Sequence, residues 1–268
     1  MSQNSAFLTD IIDFFLGGGY NCNRESEIQF QNNEEGGERM KTGIHIIVGH
    51  YGSGKSEFCM NFAMKLRQEG VDVAVADLDI VNPYFRTRQQ AQVLGAKGVH
   101  VVSSNFDNDW TIDLPALNSE LQSFFLDNGR ENLIDVGGNA VGARVLARFH
   151  DQIREGSYEM WLVVNANRYE SQTADQVIEF AEGIARESRL TITGVINNTH
   201  MLDETTMEDI FRGDKVVREV CERLKVPCVY CSCPASLYEE CKARDGELLG
   251  EVIVIDMYLR PDYLRTIT

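Results

Sequence analysis

The sequence lacks any run of 18 or more apolar residues, so nothing in it has the length to span a bilayer as a helix. Positive charge is scarce: 25 Lys and Arg stand against 41 Asp and Glu, a formal net charge of −16 at pH 7. Contacts to the phosphates of nucleic acid or anionic lipid need clustered Lys and Arg, so neither is an expected partner. No export signal is expected, because the best candidate, residues 6–19, carries Asp10 and Asp13 inside its apolar stretch and no basic residue before it. The seven cysteines therefore read as reduced thiols of a cytoplasmic protein. No internal repeat and no low-complexity linker occur, which excludes solenoids and tandem arrays. What is present is ordinary globular composition, 43% apolar and 25% charged over 268 residues, enough for one large domain.

Residues 1–42 differ from the rest of the chain. Residues 20–33 are mostly polar, and Glu34-Glu35-Gly36-Gly37-Glu38-Arg39 has neither strand nor helix periodicity, so the segment reads as a flexible leader. A second reading takes Met40 as the true start, since Gly-Gly-Glu-Arg-Met can be the translation of a purine-rich ribosome-binding sequence and its start codon. From Gly43 onward, short β-rich runs at 44–48, 71–76, 99–103, 132–135, 160–164, 190–196 and 226–231 alternate with helical patterns, the clearest at 55–67, 171–187 and 204–224. Alternation of this kind predicts an α/β domain over 43–268, a mostly parallel sheet flanked by helices on both faces. Ligands of such sheets bind at the carboxyl ends of the strands.

After the first run comes Gly49-His50-Tyr51-Gly52-Ser53-Gly54-Lys55-Ser56, which fits G-x-x-x-x-G-K-[ST] at every fixed position. Glycines let the backbone curl so that successive N–H groups face one anion. Lys55 is placed to reach the β and γ phosphates and the Ser56 hydroxyl to bind Mg²⁺, while the following helix aims its positive end at the phosphates. Gly49, Tyr51, Gly52, Ser53 and Gly54 complete the predicted cradle. Phe58, Phe62 and Leu66 recur at the i, i+4, i+8 spacing of one buried helix face, so strand, loop and amphipathic helix occur in the order of a P-loop NTPase fold.

Two carboxylate stations lie further along. Asp77-Leu78-Asp79 closes the second run, and Asn132-Leu133-Ile134-Asp135 closes another before Val136-Gly137-Gly138. An Asp at a strand end facing a phosphate loop can hold the water shell of Mg²⁺ and orient the attacking water. Gly138, three residues past Asp135, is placed for its N–H to sense a γ-phosphate.

Together these residues resemble the CobQ/CobB/MinD/ParA group of P-loop ATPases, members of the SIMIBI class and relatives of the nitrogenase iron protein, over about residues 43–242. The resemblance implies a parallel sheet of seven or eight strands, ATP and Mg²⁺ as ligands, and hydrolysis coupled to a partner. It implies Asp79 as a switch carboxylate near the attacking water, Asp135 as the Walker B carboxylate, and Lys55, Asp79 and Asp135 as the catalytic set, with Ser56, Asp79 and Asp135 around the metal. Gly194-Val195-Ile196-Asn197-Asn198 is similar to the family strand whose terminal Asn touches the base, which points to Asn198. The segment Cys233-Pro234-Ala235-Ser236 is placed like the loop that packs on adenine, with Pro234 as its contact. Many members carry a second lysine five residues before the loop lysine, used across a nucleotide-bridged homodimer; His50 occupies that position here. Arg86 or Arg88 is a candidate for the missing cation, a plain surface charge being the alternative.

Weaker signals remain. Cys228, Cys231, Cys233 and Cys241 crowd together, which allows a zinc or iron–sulfur site or simply small buried thiols. Tyr84 and Phe85 suit either a partner surface or the core, and residues 104–114, with Asp107, Asp109 and Trp110, suit an insertion near the site. His200 is a candidate for the base pocket or a solvated loop. The expected activity is an Mg²⁺-dependent ATPase that switches shape for an unidentified client protein or a cofactor or metallocentre assembly step. The alternatives are a P-loop small-molecule kinase, with Arg144 and Arg148 as lid residues, and a nucleotide-gated binding module without significant turnover. ATP is expected over GTP because no Asn-Lys-x-Asp motif comes after the relevant strand.

Overall fold

The structure, a computed structural model, describes residues 43–78, 94–103, 122, 124–125, 129–153, 158–244 and 246–258. The leader at 1–42, Asp79, residues 82–88 with Tyr84, Phe85, Arg86 and Arg88, and residues 104–114 lie outside the described residues.

Apolar runs form strands β1 (Ile44–Gly49), β2 (Val73–Leu78), β3 (His100–Ser103), β4 (Glu131–Val136), β5 (Tyr158–Val164), β6 (Gly194–Asn197), β7 (Cys228–Cys233) and β8 (Glu251–Val254). They make one eight-stranded sheet in the order β3-β2-β4-β1-β5-β6-β7-β8, parallel at every pairing. Helices between them among the described residues include α1 (Lys55–Gln68), α2 (Ala140–Ala143), α3 (Ala174–Ser188), α4 (Met207–Leu224) and α5 (Tyr238–Ala243). The expected mostly parallel α/β architecture is therefore present, with its eighth strand beyond those the sequence pattern predicts.

β2 and β7 each begin two residues later than that pattern predicts, for one shared reason. Val71 and Val226 turn their N–H groups back to Leu66 and Cys221, satisfying the last carbonyls of α1 and α4 before a strand can start. Thr173 and Thr206 open α3 and α4 with reciprocal capping boxes to Gln176 and Asp209.

Side chains alternate between two faces. On one, Phe58 and Phe62 of α1 pack against Trp161 and Tyr230, with Ile47, Val75 and Leu133 beneath them. On the other, Val177, Ala181 and Ile184 of α3 and Val217 and Val220 of α4 cover Ile46, Met160 and Leu162. Each large side chain so buried contributes about 1.5–3 kcal/mol. β1 lies at the centre, between β4 and β5. The loops leaving β1, β4, β5 and β6 thus converge at one edge of the sheet, where the crossovers diverge.

Candidate functional site

The loop after β1 closes as a turn in which Ser53 N donates to His50 O at 3.0 Å. Gly52 and Gly54 have φ of +76° and +85°, a region that L side chains enter only with strain. Gly54 is also the N-cap of α1, and no side chain caps that end. The first-turn N–H groups and the positive end of a 14-residue helix therefore face the loop, the arrangement that binds anions.

Lys55 opens α1 and is only 7% exposed. Its Nζ stands 3.9 Å from Oδ1 of Asp135, the fifth residue of β4. Asp77 is the register partner of Asp135 on β2, and both carboxylates continue the Val75 and Leu133 alternation onto the α1 face. One turn along α1, the Cys59 thiol is pushed well above its ordinary pKa by burial and by the Asp135 and Asp77 carboxylates, which places both acids beside the helix start. Ser56, half-buried, comes next after Lys55 in the first turn. Gly138 closes the cradle from the β4 side: a Cβ there would stand 2.7 Å from Tyr51 N and 3.0 Å from its Cα. Tyr51 itself is 69% exposed, on the outside of the loop.

The opposite wall comes from β6 and β5. Asn198, 1% exposed, donates through Nδ2 to Ser53 O at 2.7 Å, so its Oδ1 is the acceptor, and that oxygen is buried without a hydrogen-bond partner. Asn197 is structural instead, since its amide donates to Ile210 O and accepts from Thr199 N. His200 packs near Gly54, and burial, helped by the Arg168 charge, lowers its pKa to about 4, which keeps the ring neutral. Arg168 Nε donates to Gly52 O at 2.8 Å. No sequence signal singles out this arginine beyond its place just past the end of β5, because it belongs to no motif and its partner is a backbone carbonyl far away along the chain.

Other expected residues fall in varied places. His50 does not project as a lone cation: its ring packs, tilted by 30°, on Phe180 of α3 at 3.8 Å between centroids, and burial lowers its pKa against the pull of Glu170. Pro234 comes directly after β7 and starts a 3-10 turn, Ala235–Leu237, at the same edge of the sheet. Arg144 is held by Glu187 of α3 at 2.8 Å, and Arg148 is exposed. The six described cysteines are free thiols, and no group of three potential metal ligands occurs among the described residues. Burial raises the thiols of Cys228 and Cys233 to about 12, and those of Cys231 and Cys241 also rise. Among the described residues no helix is long and apolar enough to cross a membrane.

The cradle residues Gly49 to Ser56, Asp135, Gly138 and Asn198 are thus brought to one edge of the sheet, whereas Asp79 falls outside the described residues. Residues 44–231 match the family CbiA, the CobQ/CobB/MinD/ParA nucleotide binding domain. Among curated proteins none matches the chain. Among solved structures, chloroplast FtsY from Physcomitrella patens is 20% identical, with a TM-score of 0.50, covering 73% of this chain and 59% of that one. The cell division protein FtsY from Thermotoga maritima is 19% identical, with a TM-score of 0.47 and coverage of 71% and 61%. The signal recognition particle receptor FtsY from Elizabethkingia anophelis in complex with GDP is 17% identical, with a TM-score of 0.48 and coverage of 75% and 59%. The chain spans about three fifths of the length of these neighbours, and at such identity the Physcomitrella patens likeness carries the fold alone. The phosphate loop, the parallel sheet that presents it and the family match over the same residues agree: the chain belongs to the CobQ/CobB/MinD/ParA nucleotide-binding domain family, in the SIMIBI class of P-loop NTPases.

Proposed function

We propose that this protein is an Mg²⁺-dependent ATP-binding protein and ATPase that acts as a nucleotide switch for a client protein or for a cofactor or metallocentre assembly step. The observation that carries this reading is Lys55, a buried ammonium beside Asp135 at the uncapped start of α1. A cation set there among converging N–H groups is suited to the β and γ oxygens of a nucleoside triphosphate.

The donor set fits Mg²⁺. The Ser56 hydroxyl, next to Lys55 at the start of α1, and the Asp135 carboxylate, 3.9 Å from Lys55 Nζ, are hard oxygen donors, and Asp79 is the third candidate. Bound Mg²⁺ would neutralise charge developing on the bridging phosphate oxygens. Asp135 would anchor its water shell, Asp79 would orient the attacking water, and Gly138 would carry the presence of the γ-phosphate into the loop after β4.

Asn198 favours adenine. One N–H of its amide donates to Ser53 O and its Oδ1 has no hydrogen-bond partner, so that oxygen would suit the amino donor that adenine offers at C6, where guanine offers a carbonyl. Pro234 would pack against the base from the β7 side. Tyr51 on the loop after β1, Val141 on α2 after β4 and Tyr169 on the turn after β5 are exposed, and a client or a second copy of the chain reading these segments would sense the nucleotide state.

The test is calorimetric binding of ATP, ADP and GTP with and without Mg²⁺, paired with phosphate release at saturating ATP. Binding of ATP at least a few-fold tighter than GTP, with slow release, is expected. A wild-type protein that binds neither nucleotide overturns the reading; tighter binding of GTP overturns the choice of base.

A further inference from the structure

After β5 the chain makes a tight turn before it enters α3. Arg168 N and Ser171 Oγ both donate to Asn165 O, at 2.9 and 2.7 Å, and Asn167 N donates to Asn165 Oδ1 at 3.0 Å. The turn is tied to the loop after β6 by Ala166 N donating to Thr199 Oγ1 at 3.0 Å and by Asn165 Nδ2 donating to His200 O at 3.4 Å. Arg212 of α4 adds a bond to Asn167. The exposed side chain of Arg168 thus stands on a base with little freedom to move.

From that base its Nε holds the carbonyl of Gly52, while Asn198 holds the next carbonyl, that of Ser53. A trans peptide is planar and points its C=O and N–H in opposite directions, so fixing a carbonyl also aims the following N–H. The Gly52–Ser53 plane is held at both ends, by Arg168 at its oxygen and by His50 O at its N–H. The Ser53–Gly54 plane is held by Asn198, which turns the Gly54 N–H to the side away from Asn198. Gly52, with the broad conformational freedom of glycine, would sample other turns without such restraint.

We infer that Arg168 is a positioning residue of the phosphate loop, holding Gly52 so that the loop keeps the shape that receives a polyphosphate before any ligand arrives. A loop ordered in advance loses less entropy on binding, so the restraint appears as affinity. That consequence rests on the nucleotide-binding reading, whereas the restraint itself does not.

Arg168→Ala and Arg168→Lys in the full chain test both levels. Amide hydrogen exchange of residues 50–54, measured without nucleotide, should quicken about tenfold in Arg168→Ala, because local opening becomes easier. ATP affinity by calorimetry should fall about tenfold or more, the scale of a lost charge-assisted hydrogen bond. The melting temperature should move by no more than about 2 °C, since the side chain is exposed. Arg168→Lys keeps a cationic donor and should restore much of both. Unchanged loop exchange in Arg168→Ala overturns the inference whatever happens to affinity, and so does a lysine variant that restores neither property. Wild-type protein that binds no nucleotide overturns the functional reading alone, and the exchange comparison still decides the role of Arg168.

Discussion

Asp77 on β2 and Asp135 on β4 are register partners across a parallel ladder, and both emerge on the face of the sheet that carries Lys55. Neighbouring carboxylates repel one another unless a cation shares the position. Lys55 supplies one positive charge, and the Mg²⁺ of the proposed reaction would supply more.

Asp135→Asn keeps the shape and removes one of these charges. Phosphate release at saturating ATP and Mg²⁺ should fall by roughly 10²-fold or more, the scale of one positioned catalytic group. Lys55→Ala should instead lose nucleotide binding itself in calorimetry. Wild-type release from Asp135→Asn would remove the acid from the mechanism.

Gly138→Ala inserts a methyl group where backbone atoms of Tyr51 leave no room. One loop must shift, at a cost of about 1–3 kcal/mol. ATP affinity should drop about tenfold or more while the circular dichroism of the fold is retained. Undiminished affinity would show that the two loops separate freely.

Asn198→Ala removes the acceptor assigned to adenine and the bond to Ser53 together. Affinity for ATP and GTP should both fall, and the ATP preference should narrow. A ratio of the two affinities equal to that of the wild type would take Asn198 out of base choice.

The pH dependence of stability has a separate source in His45. Burial opposes its charge, but the Glu131 hydrogen bond at 2.8 Å and the Glu159 contact at 3.1 Å outweigh burial and raise its pKa above 6.5. A raised folded pKa means stability that is fully present below 6.5 and lost as pH rises through the raised value. Chemical denaturation across pH 5–8.5 should show that decline in the wild type and its absence in His45→Gln; an identical slope in both would refute the assignment.

Much of the fold is legible from the residues. The phosphate loop and the strands at 44–48, 132–135 and 160–164 emerge from motif and continuous apolar runs, because strands buried on both faces need no alternation. β8, Glu251–Val254, is missing from the expected runs even though Val252-Ile253-Val254 is a β-branched stretch. Residues 190–193 look like strand yet precede β6: Leu190 and Ile192 are buried, but the ladder to β5 begins at Gly194. The place of Asn198 comes from resemblance, whereas its commitment to Ser53 shows only in three dimensions. Arg168 is unreadable in one, since a side chain that serves a carbonyl 116 residues away leaves no trace in spacing.

The His45 cluster lies at the amino ends of the strands that carry the nucleotide site at their carboxyl ends. His45 belongs to β1, Glu131 to β4 and Glu159 to β5. On the proposed reading, one end of this trio answers to protons through His45 and the other to polyphosphate. At the upper end burial lowers the pKa of both His50 and His200, the latter to about 4, so those rings need more acid than His45 before they charge. A variant whose strands have loosened below should regain firmness at pH 6 in buffer, while one loosened above should regain it only with ligand. Two solutes thus serve as separate handles on a single stretch of sheet.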